Sequence, residues 1–133
     1  MITINDVEKR ISIRKLIELT QDDVNANNYD IVKVNEAIEK SISLVKAYLK
    51  NTDYENSNEN FIKEIALDIC VYFIYKKRFS EVELQNNENL AVYKQYKDAI
   101  EILEKIKKGE FDNKKIKSDG KKLSSSKKII NYE

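Results

Sequence analysis

Oxygen ligands gather in the segment Asp22-Asp23-Val24-Asn25-Ala26-Asn27-Asn28-Tyr29-Asp30. Counted from Asp23, Asn25 and Asn27 occupy the third and fifth positions of an EF-hand-like calcium loop. The sixth position is Asn28 where such loops carry Gly, and the twelfth is Val34 where they carry a bidentate Glu. A loop without that carboxylate holds calcium weakly at best, and Asx turns leading into a helix cap account for the same residues. A second constellation is Lys76-Lys77-Arg78 beside Tyr72, Phe73 and Tyr75. Cations and aromatic rings together suit a nucleic-acid backbone and its bases, yet cations also close the C-terminus of a helix. The third is Asp68, set among Ile65, Ala66, Leu67, Ile69 and Cys70. A carboxylate in such surroundings is either catalytic or paired, and pairing by Arg14, Lys97 or a partner subunit is the expectation.

The missing residue types exclude more chemistry than the present ones suggest. The 133-residue chain has no His, no Pro, no Trp, one Cys and two Gly. Ser-His-Asp, Cys-His and His-ligated metal sites therefore cannot be built, and Gly109 and Gly120 alone cannot form a glycine-rich phosphate loop. Cys70 can form no internal disulfide and reads as a small buried hydrophobe. No cofactor is expected, and an enzyme is disfavoured.

The elements that position these residues are helical. Apolar residues recur at spacings of three and four throughout residues 1–108, and no segment of useful length alternates with period two. Thr3 with Asp6 can cap a short helix from Ile4 to Arg10, and Ser12 a second from Ile13 to Leu19. After the polar 21–30 loop, Ile31, Val34, Ile38, Ile42, Val45 and Leu49 mark a long amphipathic helix. A second polar loop, 51–58, leads to a helix from about Glu59 to Arg78 that is apolar on most sides and hence central. Ser80-Glu81-Val82-Glu83 can cap a single turn within a connector. Leu90 to Ile106 form the last long helix, closed by Lys107-Lys108-Gly109. The fold expected is all-α: two short N-terminal helices plus three long antiparallel helices, followed by an extended C-terminal arm. Ile65, Ile69, Phe73, Ile38, Ile42, Ile100 and Leu103 are expected in one core.

Composition changes at Gly109. Residues 1–108 hold 17 basic and 19 acidic side chains, net −2, whereas residues 109–133 hold 7 and 4, net +3. The expected division is a helical domain over residues 1–109 and a basic extended arm over 110–133. That arm carries Lys121, Lys122, Lys127 and Lys128 and then the apolar Ile129, Ile130 and Tyr132, the candidate partner-binding residues. It is too polar to form a core alone. A net −2 domain argues against a nucleic-acid footprint, which leaves a nucleic-acid-associated small helical protein as the alternative function. The first residues lack a continuous apolar segment of the signal-peptide kind, and the longest apolar run, Ile69 to Tyr75, is too short to span a membrane. No membrane association is expected.

The order of these pieces resembles the small helical proteins of Mu-like prophages encoded among phage head genes, placed at the head–tail junction. The residues carrying the resemblance are Thr3 to Ile11, then Leu16-Ile17-Glu18-Leu19-Thr20, then the Asx-rich loop to Asp30, then Ala47-Tyr48-Leu49. Ile65-Ala66-Leu67-Asp68-Ile69-Cys70-Val71-Tyr72 follows, and then Tyr96-Lys97-Asp98-Ala99-Ile100 with Leu103, Ile106 and Gly109. The resemblance covers residues 1–111. It implies a head-completion or head–tail connector protein in the virion, assembled in the bacterial host cytoplasm. It further implies a homo-oligomeric ring, commonly of twelve subunits, beneath the portal protein. Such a ring meets a tail-side stopper or tail-completion protein below, and DNA only passes through its channel.

Overall fold

The computed structural model describes residues 1–86 and 88–111. Within them lie α1 (Ile4–Arg10), α2 (Ile13–Thr20), α3 (Ile31–Leu49), α4 (Asn60–Tyr75), α5 (Glu81–Gln85) and α6 (Leu90–Lys107). No strand occurs among the described residues.

Four of the six helices, α1, α2, α3 and α5, begin where a side chain satisfies unpaired amides. Thr3 Oγ1 accepts from the Asp6 amide while Asp6 Oδ2 accepts from the Thr3 amide, a capping box closed by Asp in place of Glu. Ser12 caps α2 through Lys15, and Asp30 caps α3 by accepting from the Val32 and Lys33 amides. The connector after α4 forms a helix of its own, α5, because Ser80 and Glu83 complete a second capping box and Leu84 is fully buried. The end of α6 is a Schellman turn. The Gly109 amide donates to Ile106 O, the Glu110 amide donates to Lys105 O, and Gly109 sits at φ +75°.

α4 is the central helix. Ile62, Ile65, Ala66, Ile69, Cys70, Val71 and Ile74 are buried around its circumference, so no single neighbour can cover them. α3 and α6 pack along it and against each other, α1 and α2 lean on it from another side, and α5 packs on α6. Lys77 at the end of α4 pairs with Glu36 near the start of α3, and Tyr72, late in α4, stacks on Tyr96, early in α6. Both flanking helices therefore run antiparallel to α4. The domain thus has two ends. One gathers the 21–30 loop, the C-terminus of α4 and α5. The other gathers the 51–59 loop, the start of α4 and the end of α6.

The core departs from expectation by a rotation of single residues. Ile38, Ile65, Ile69 and Leu103 are buried as expected, but Ile42, Phe73 and Ile100 are only partly buried at its edge. Their neighbours Ser41, Ile74 and Ala99 point inward instead, since one residue along a helix turns the side chain by about 100°. Ser41 is tolerated there because its hydroxyl donates to Ile38 O at 2.8 Å. Cys70 is buried, and that burial pushes its thiol up to about 11, which makes it inert.

Candidate interaction site

Asp68 does not pair with Arg14 or Lys97. Arg10, at the last position of α1, reaches across to donate Nη1 to Asp68 Oδ1 at 2.6 Å and Nη2 to Glu64 Oε1 at 2.9 Å. Glu64 and Asp68 are one helical turn apart, so a single guanidinium fork spans both. The Asp68 side chain keeps about a quarter of its surface exposed. Burial nevertheless drives its carboxyl up to about 6; Arg10 opposes the rise, while Glu64 and Asp98 add to it. The arrangement staples α1 to α4, and it aims the carboxylate at Arg10, not into a cleft.

The 21–30 loop spends its oxygens on its own backbone. Asp23 Oδ1 accepts from the Asn25 amide, Asn28 Oδ1 from the Tyr29 amide, and Asp30 caps α3. Val34, standing where a calcium loop needs its bidentate carboxylate, is fully buried. Among the described residues no group of three or more acidic or cysteine side chains is placed to hold a metal ion. The loop is held from outside by Arg78, whose guanidinium donates to Glu18 O, Gln21 O at 2.7 Å and Asp22 Oδ1 at 3.2 Å.

The Lys76-Lys77-Arg78 run is therefore not one patch. Arg78 serves α2 and the loop, Lys77 pairs with Glu36 at 3.3 Å, and Lys76 lies over the Tyr72 ring. The face there is a shallow groove of about 580 Å³ walled by Glu36, Ala37 and Lys40 of α3, Tyr72 and Phe73 of α4, Lys76 and Lys77 just beyond its end, Glu81 of α5 and Tyr96 of α6. Its floor is the Tyr72–Tyr96 pair, stacked at 3.8 Å and 8°, with Phe73 tilted against both. Burial, reinforced by the Glu81 carboxylate that accepts from the Tyr72 hydroxyl at 2.9 Å, pushes that phenol upward, so the floor stays neutral. Lys40 Nζ lies 4.9 Å from the Phe73 ring centre and Lys76 Nζ 5.8 Å from that of Tyr72. Among the described residues neither ammonium is in an ion pair. The groove thus combines an aromatic floor and two ammoniums outside any ion pair with two engaged carboxylates, Glu36 held by Lys77 and Glu81 by the Tyr72 hydroxyl. Lys40 escaped the sequence reading because it comes from another helix, and Tyr96 reads there only as an amphipathic residue at the core edge of α6.

At the opposite end the chain leaves the domain through an aromatic clamp. Phe111 stacks on Phe61 at 5.4 Å and meets Tyr54 edge-on at 5.8 Å, and Tyr54 in turn meets Phe61. The clamp and the Schellman turn hold residues 109–111 against this end of the bundle. Lys121, Lys122, Lys127, Lys128, Ile129, Ile130 and Tyr132 lie outside the described residues. No helix among the described residues is long and apolar enough to cross a membrane.

The family model described as Bacteriophage Mu, Gp36 matches residues 2–130. It runs beyond the segment 1–111 that carries the sequence resemblance, into the basic C-terminal region. No curated protein and no solved structure matches the chain.

Proposed function

The chain belongs to the bacteriophage Mu Gp36 family and is a phage protein, and on that premise we propose that it is a structural head–tail connector. In this reading, copies of the helical domain form a ring beneath the portal of a phage or phage-derived particle, and the basic C-terminal arm engages the portal. The role is non-catalytic and needs no cofactor. A tail-side stopper or completion protein meets the other face of the ring, and DNA only passes through.

The observation that carries the reading is the extent of the family match, which takes the helical domain and the C-terminal segment as one unit. A bundle that clamps the chain at Phe111, followed in sequence by a lysine-rich segment carrying Ile129, Ile130 and Tyr132, has the parts of a docking device. Such a spacer reaches far, and Ile129, Ile130 and Tyr132 supply its anchors.

The test is a chain truncated after Phe111. It is expected to fold with an unchanged melting profile, because the described core lies within residues 2–106. It is also expected to fail to join portal-containing particles. Incorporation equal to that of the full chain would remove the arm from the account and leave the joint to the helical domain alone.

A further inference from the structure

We propose that the Lys40–Lys76 groove is the receiving half of a contact between copies of this chain, and that the Asp23-Val24 tip of a neighbouring copy enters it. The inference deepens the ring reading and rests on it. Val24 is 94% exposed, the most extreme value among the large hydrophobics the structure leaves in solvent. It follows Asp22 and Asp23, and Asp22 pairs with Arg78 at 3.2 Å, so the tip presents one apolar knob preceded by the Asp23 carboxylate. The groove offers an aromatic floor under the Lys40 and Lys76 ammoniums, which are outside any ion pair among the described residues. Its two carboxylates are engaged, Glu36 by Lys77 and Glu81 by the Tyr72 hydroxyl. The Asp23 carboxylate and the two ammoniums are complementary in charge.

The tip is also pre-organised, which lowers the entropy lost on docking. Arg78 ties its base at three points, the Ala26 amide donates to Asp23 O at 3.1 Å, and Gln21 Nε2 donates to Asn28 O at 3.0 Å. Tip and groove lie at the same end of the bundle but on different faces of α4. Tyr75, which Lys15 of α2 covers, is roughly half a turn around α4 from Phe73 at about 100° per residue. No residue of the 21–30 loop lines the groove of its own chain. A tip on one flank and a groove on another make a heterologous contact, which propagates from copy to copy and closes into a ring when the rotation permits.

Two experiments on the full chain test this. In the first, a Val24→Cys chain is mixed with a Lys76→Cys chain under mild oxidation, with Val24→Cys plus Asp53→Cys as the control pair from opposite ends of the bundle. The groove pair is expected to cross-link at least tenfold more; equal yields would overturn the inference. In the second, sedimentation velocity follows self-association. Lys76→Glu is expected to weaken it at least tenfold, and adding Asp23→Lys to the same chain is expected to restore most of it. Rescue of this kind does not follow from misfolding. Wild-type rings that persist unchanged in Lys76→Glu, or a double variant no better than the single, would overturn the groove contact while leaving the ring intact. A wild-type chain that stays monomeric at every concentration would overturn both. Portal capture lost with self-association intact would assign the groove to the portal and also overturn the inference.

Discussion

Ile69→Ala is expected to destabilise the domain by about 2–5 kcal/mol, the usual range for emptying a closed aliphatic site. At this chain length each kcal/mol lowers the melting temperature by roughly 3–5 °C, so a fall on the order of 10 °C is the expected readout. Ile69 has no exposed surface and lies midway along the helix that α1, α2, α3 and α6 all contact. Packing from several sides leaves the cavity little room to collapse, which places the effect in the upper part of the range. Thermal unfolding followed by circular dichroism checks it. A shift within about 2 °C would mean that α4 is not the centre of the bundle.

Arg10→Met should produce the second large effect, and one that depends on pH. It removes the guanidinium but keeps most of the packing of the side-chain stem, leaving Asp68 beside Glu64 and Asp98 with its main counter-charge gone. Because Arg10 and Asp68 each keep about a quarter of their surface in solvent, the loss is put at about 1–3 kcal/mol at pH 8, below that of a fully buried pair. The sign of the pH dependence follows from the raised carboxyl. Its folded value is about 6 against an ordinary 3.8, so between those values the folded state holds the proton more tightly than the unfolded chain. The contribution of Asp68 to stability is full below about 3.8 and is lost as pH rises through 6. Without Arg10 the carboxyl rises further and the loss steepens. Melting temperatures from pH 4 to 8 are therefore expected to fall more sharply with pH in Arg10→Met than in wild type. Adding Asp68→Asn to Arg10→Met should remove the extra slope. Parallel profiles for wild type and Arg10→Met would show that the pair does not govern Asp68.

Helical periodicity and capping residues made most of the bundle readable in the sequence. Thr3 and Ser12 cap the helices they were expected to cap, the cap expected at the end of the Asx-rich loop is Asp30, and Gly109 closes α6. These are local features, settled within four residues of the chain. α5 was underestimated because a five-residue helix has too few turns for periodicity, and its stability comes from the Ser80–Glu83 box and buried Leu84. The Arg10–Asp68 pair joins residues 58 apart in sequence, which no helical spacing encodes, and Arg14 and Lys97 were equally plausible by type. Phe73, Ile42 and Ile100 were read as core because an amphipathic stripe locates a face, not the residue that tertiary packing turns fully inward. The groove was visible only in its α4 part. Its floor needs Tyr96 from α6 and its rim needs Lys40 from α3, and the antiparallel register alone brings them together.

The central claim is that this phage protein sits at the head–tail joint, and its position in the particle is the measurement that tests it most directly. Glu104 is exposed on α6, so a Glu104→Cys chain can carry a small gold label without disturbing the core. Electron microscopy of portal-containing particles assembled with that full-length chain is expected to place the label at the single portal vertex, in several copies around the channel axis and on its tail side. Label spread over the shell, or particles complete without any, would contradict the account.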